Sequence, residues 1–141
     1  MTKTAILALI ALFLSDIYIG IMKGWGLNPF VSASYHFLGG FFVAMLVFSF
    51  YHSEFKKLPQ HLRVFVIVAL TMAVGVTWEF AEYIGNKLLT EPIYQAYDFH
   101  FYFMGDLDDT VADLLMDALG AIIFVGFSSL NLLKRSKAQK S

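Results

Sequence analysis

The chain has 141 residues, 58% of them hydrophobic and only 15% charged, with a mean hydropathy of +0.66. Ordinary globular chains carry about 25% charged residues, so this balance argues against a soluble domain and for one compact integral membrane bundle. The formal net charge of −1 conceals a sorting of charges along the chain, and the absence of cysteine excludes disulfides, thiolate metal sites and thiol catalysis.

Four segments approach the ~20 apolar residues that a bilayer requires. They predict an all-α bundle of four transmembrane helices at about 4–22, 32–51, 62–88 and 109–133. Together they form a single transmembrane domain over residues 1–133. An aromatic outer loop is expected at 89–108 and a basic cytoplasmic tail at 134–141. The first segment follows Lys3 as a signal peptide would, but it lacks a small-x-small cleavage site and is long enough to span. It is expected to remain as the first helix. Pro29 and Pro59 fall between spans, where a missing amide donor costs little.

Lys3, Lys56, Lys57, Arg63, Lys134, Arg135, Lys137 and Lys140 fall on one side of such a bundle, and only Lys23 and Lys87 on the other. The positive-inside rule then predicts cytoplasmic termini. A short basic tail after an apolar span predicts no nucleic-acid partner. The partner that composition implies is the lipid bilayer.

The acidic residues sort the opposite way. Glu54 alone lies on the cytoplasmic side. Asp16 sits near the outer end of the first span, Glu79 and Glu82 near the outer end of the third, and His36 at the start of the second. Asp109, Asp113 and Asp117 enter the fourth from outside. Four helices therefore bring ionisable side chains to the outer third of the bilayer, facing the periplasm or exterior. At ~100° per residue, Asp106, Asp109, Asp113 and Asp117 share an arc of roughly 80°, with Asp108 on the other side. Asp106 and Asp109 stand at the water boundary, where a helix N-cap is an alternative role, and Asp109-Thr110 suits it. Asp117, about 12 Å further in at ~1.5 Å per residue, has no capping role to fill.

Glu79 and Glu82, three residues apart, can both face the bundle interior. A glutamate in an apolar helix holds a cation, shares a proton or sits protonated in a hydrogen bond. His36 adds an imidazole, and Gly39-Gly40 beside it lets a neighbouring helix approach closely. The candidate metal ligands are His36, Glu79, Glu82, Asp109, Asp113 and Asp117, and the candidate catalytic groups are Glu79, Glu82 and Asp117. Mixed oxygen ligands with one imidazole suit a divalent Mn, Fe, Zn or Mg ion. Asp16 is either a snorkelling residue or a peripheral member of the site. Tyr35 and Tyr83 are either aromatic filler or donors to the carboxylates. The aromatic stretch Tyr94 to Phe103, with His100, is either a cap over the cluster or an interfacial anchor.

His36 with Gly39-Gly40, the block Trp78-Glu79-x-x-Glu82, and Asp109-Thr110-x-x-Asp113-(x)3-Asp117-x-x-Gly120-Ala121 resemble the YjdF-like family of small bacterial inner-membrane proteins. The last helix is also similar to that of VanZ-like membrane proteins. The resemblance spans roughly Tyr35 to Ala121 and implies a multi-pass inner-membrane topology rather than a chemistry.

Three functions fit these residues. One is a carboxylate-rich cation or proton-handling pocket that acts on a membrane-embedded substrate. A second is a transport element, although the inner halves of the spans offer no continuous ionisable path. The third is a non-catalytic subunit or stabiliser, working as a homo-oligomer or within a larger membrane complex. No phosphate-binding glycine loop, HExxH pair or GxSxG elbow is present. With only Lys23 and Lys87 outside, phosphoryl transfer lacks its usual basic grip.

Overall fold

The structure, a computed structural model, describes residues 1–23, 28–99 and 101–138. The described residues form five helices: α1 (Thr2–Lys23), α2 (Pro29–Phe50), a one-turn α3 (His52–Phe55), α4 (Gln60–Tyr97) and α5 (Leu107–Ala138). Four of them are long and apolar enough to cross a membrane, as the composition predicts. Among the side chains they leave exposed are Leu7, Leu14, Phe65, Phe80, Val111 and Ile122. So much exposed apolar surface suits lipid and not water.

Local signals set the helix starts. Asn28 caps α2 by accepting from the amides of Phe30 (3.1 Å) and Val31 (3.3 Å), with Pro29 pre-set at the first helical position. Asp106 does the same for α5, its carboxylate taking the Asp109 amide at 3.0 Å. The helix therefore begins at Leu107 rather than at Asp109, because the carboxylate one turn upstream already satisfies the exposed amide.

Helix α4 is longer than the apolar run suggests. Its 38 residues extend about 57 Å at ~1.5 Å per residue, well beyond a ~30 Å hydrocarbon core. It continues through Pro92 to Tyr97 and stops at Asp98, which adopts the left-handed conformation (φ 52°). The chain then runs back along the helix it has just left. Asn86 holds this return at two points, accepting from the Phe103 amide and donating to the Met104 carbonyl at 3.1 Å. Thr90 donates to the Phe101 carbonyl at 3.0 Å. Phe103 packs over Gly85, and the Phe101 and Phe103 rings meet edge to face at 4.7 Å. Much of the expected outer loop is thus two parts, a helical extension and a strap pinned to it. His100 and residues 139–141, Lys140 among them, lie outside the described residues.

Three helices meet along stripes spaced four residues apart. On α2 the buried stripe is His36, Gly40, Ala44 and Phe48; on α4 it is Ile67, Thr71, Gly75 and Glu79. On α5 it is Asp113, Asp117, Ala121 and Val125. Such i, i+4 rows are the ridges that helices interlock. Each stripe is apolar at one end and ionisable at the other, and the three share the same polarity in space. At the apolar end the Phe124 ring meets Phe41 and Phe48 at 5.5 and 5.8 Å, with Phe55 of α3 stacked on Phe48. At mid-height the backbones nearly touch. A Cβ on Gly40 would fall on the Asp117 backbone, and one on Gly120 on the backbone of Phe37 and Phe41. This reciprocal glycine contact makes α2 and α5 the most extensive helix pair.

Helix α1 is looser. It packs mainly on α2, where Ala5 is fully buried and the Tyr35 hydroxyl donates to Ser15 at 3.0 Å. It reaches α4 through an edge-to-face contact of Phe13 with Trp78 at 5.9 Å. The fourth side of the bundle is therefore a cleft between α1 and α4.

Candidate functional site

The ionisable ends of the three stripes converge on His36. Its Nε2 lies 3.5 Å from Asp113 Oδ2 and 3.8 Å from Glu79 Oε1, and its Nδ1 lies 3.4 Å from Asp117 Oδ2. All four side chains are buried, with exposures of 3–9%. Ser32, one turn before His36 on α2, donates to Asp113 Oδ2 at 2.8 Å. The Thr110 hydroxyl lies near the Glu79 carboxylate. Even so, Glu79 Oε1 is left buried without a hydrogen-bond partner.

Space for these groups is made by missing side chains. A Cβ on Gly75 would collide with the Asp117 carboxylate, while Gly39 lies beside its other oxygen. Asp117 therefore reaches the centre because α4 presents glycine at position 75 and Gly40 of α2 admits its backbone.

The donor count of the cluster is short. A neutral imidazole has one N–H. If Nδ1 donates it to Asp117, Nε2 turns a lone pair toward two carboxylate oxygens. Three acceptors then converge with only the Ser32 hydroxyl, on Asp113 Oδ2, to serve them, which costs several kcal/mol in a buried setting unless a cation or a proton sits between them. One ligand atom each from His36, Glu79 and Asp113 lies within 4.8 Å of the others, a group that could hold a metal ion.

The remaining predicted residues lie around this centre and face outward. Asp16, Glu82 and Asp109 line a cavity of about 1270 Å³ between α1 and α4, and His36 and Asp117 form part of its wall. Glu82 accepts from the Trp78 indole at 2.8 Å. The Asp109 carboxylate packs against Gly105. Phe101, Tyr102 and Phe103 of the strap also line the cavity, so the aromatic segment closes part of it. Tyr83 turns away from the carboxylates and carries Lys87 Nζ 5.6 Å above its ring. Tyr35 bonds Ser15 rather than an acid.

A family model described as a predicted membrane protein family, DUF2238, matches residues 3–134. The chain belongs to that family. The YjdF-like resemblance in the sequence is to this same DUF2238 family, and its membrane description agrees with the four spanning helices. No curated protein and no solved structure matches the chain. This DUF2238 member is therefore a multi-pass membrane protein with a buried His/Glu/Asp cluster.

Three contributors have no role assigned from the sequence: Ser32, Gly75 and Trp78, the last known only as part of the Trp78-Glu79-x-x-Glu82 block. Their signal is helical spacing. Ser32 precedes His36 by four residues, Gly75 precedes Glu79 by four, and Trp78 precedes Glu82 by four. Each of the three lies one helical turn from an intramembrane ionisable residue.

Proposed function

We propose that this protein binds one divalent cation through His36 Nε2, Glu79 and Asp113, in the outer third of the bilayer, and uses it on a substrate that enters from the membrane. The observation that carries the reading is the Glu79 oxygen, buried without a hydrogen-bond donor and 3.8 Å from a ring nitrogen that can itself be an acceptor. Ligands about 2.1 Å from a tetrahedral ion stand about 3.4 Å apart. The contacts from His36 Nε2, at 3.5 and 3.8 Å, need to close by only a few tenths of an ångström. Asp117 on Nδ1 gives the carboxylate–histidine arrangement that fixes the tautomer and orients the ring toward a metal. In this reading Asp117 positions His36, and Glu82 and Asp109 belong to the cavity wall, where Glu82 serves as a proton acceptor toward the substrate. The ion supplies a Lewis acid.

The orientation belongs to the same proposal. Eight Lys/Arg residues against two favour cytoplasmic termini, with the cavity then opening toward the periplasmic face of an inner membrane. Transport is the weaker reading. Below Thr71 and Val43 the bundle is sealed by Ile67, Phe48 and Phe124, with a void there of only about 10 Å³. That is room for roughly one water.

Chelation tests the proposal. Removing a bound ion withdraws stabilisation of RT ln(1 + [L]/Kd), about 2.7 kcal/mol at a hundredfold excess over Kd. Thermal unfolding of the detergent-solubilised protein is expected to drop with a chelator and to recover when one of the candidate ions is returned. Glu79→Gln is expected to show neither response. An unfolding temperature that ignores both chelator and metal counts against the cation site and leaves a proton shared between His36 and its carboxylates.

A further inference from the structure

We propose that the cleft between α1 and α4 binds the ammonium head of an amine-bearing phospholipid, its acyl chain lying between the two helices. The inference rests on reading the cleft as the substrate side of the metal centre, and it names the substrate class.

Size and access come first. A cavity of about 1270 Å³ exceeds the ~300–1,000 Å³ typical of small-molecule sites. Helices α1 and α4 bound it and meet mainly at the Phe13–Trp78 contact. The space between them therefore opens sideways, toward lipid. Leu9, Ile10 and Val74 supply an apolar lining for a chain.

Charge selects the head. Two carboxylates, Glu79 and Asp113, neutralise a divalent ion at His36. Asp16, Glu82 and Asp109 then remain on the cavity wall, and no Lys or Arg is among its described lining residues. A head of net negative charge has only the ion at His36 to offset these carboxylates, whereas the ammonium of a zwitterionic phospholipid meets opposite charge and gains charge-assisted hydrogen bonds. Aromatic groups reinforce the choice. Trp78 presents its indole beside the Glu82 carboxylate at 2.8 Å, braced by Phe13, and Tyr35 and Tyr102 also line the space. Carboxylates interleaved with aromatic rings are the surroundings that bind ammonium groups.

Trp78 is also the reporter. The chain has two tryptophans, so Trp25→Phe leaves Trp78 alone to be quenched by bromine on an acyl chain in the cleft. The Trp25→Phe protein is placed in vesicles of unbrominated phosphatidylcholine. It is titrated separately with dibromostearoyl phosphatidylethanolamine and dibromostearoyl phosphatidylglycerol. The ethanolamine lipid is expected to half-quench Trp78 at a mole fraction about fivefold lower than the glycerol lipid, the scale of one partly exposed ion pair. Asp16→Asn with Glu82→Gln is expected to abolish that preference. Equal quenching by the two lipids in the Trp25→Phe protein overturns the proposal, as does a preference that survives the double substitution. Metal content measured on the same samples separates the two ideas. A bound ion without a head-group preference sinks this inference alone; a preference without an ion sinks the metal centre alone.

Discussion

The reciprocal glycine contact between α2 and α5 yields the sharpest test of the packing, because Gly39 and Gly40 are neighbours with opposite surroundings. A methyl on Gly40 falls on the carbonyl oxygen, Cα and carbonyl carbon of Asp117, all far inside van der Waals contact. Backbone cannot rotate away as a side chain can. The helices must part by about 1 Å, so the cost lies at the upper end of the ~1–3 kcal/mol typical of overpacking. For a chain of this size, about 3 kcal/mol is a fall of roughly 6–12 °C in unfolding temperature. A methyl on Gly39 meets Asp117 Oδ1 at 4.0 Å, ordinary contact. Replacing a helical glycine there also recovers up to ~1 kcal/mol of helix propensity. Thermal unfolding in one detergent, followed by circular dichroism, is expected to show Gly40→Ala well below wild type and Gly39→Ala at or above it. Equal effects of the two substitutions, or a tolerated Gly40→Ala, would refute the close crossing and with it the placement of Asp117 beside His36.

Further outcomes follow from other parts of the fold. Asn86→Ala removes both side-chain bonds that hold the strap, at about 1 kcal/mol each. Amide exchange at residues 101–104 is expected to accelerate while exchange in α2 and α5 stays as in wild type; unchanged exchange at 101–104 contradicts the strap. A reporter fused after Ser141 is expected to be active only when it reads the cytoplasm. Activity outside reverses the orientation and moves the cavity to the other face of the membrane. Ser32→Ala removes the 2.8 Å bond to Asp113 and is expected to weaken metal retention about tenfold or more, as loss of a group that holds a ligand typically does. Retention equal to wild type would show that the bond does not orient Asp113.

Much of this architecture is legible in the sequence, and the reason is solvent. Long apolar runs have few alternatives in a bilayer, so four spans and their order follow from hydropathy. The depth of Asp113 and Asp117 is legible as well, since helical rise places them below any capping role. The end of α4 is not. Leu89 to Tyr97 mixes polar and aromatic residues and contains Pro92, which reads as a loop, while the bonds from Asn86 and Thr90 to the returning strap are long-range pairings. The division of the acids is hidden for a related reason. Glu79 and Glu82 differ by only ~60° on the helix, too little to separate by spacing. That angle, together with Gly75 on one side and Trp78 on the other, puts Glu79 against His36 and Glu82 in the cavity wall.

The measurement closest to the central claim is the metal content of protein purified without added chelator, compared between wild type, Glu79→Gln and Glu82→Gln. About one divalent ion per chain is expected in the wild type. That ion is expected to be lost in Glu79→Gln, which removes a carboxylate charge from the group around His36, and retained in Glu82→Gln, which alters only the cavity wall. Wild-type protein without stoichiometric divalent metal would rule out the cation site, as would metal that Glu79→Gln leaves in place.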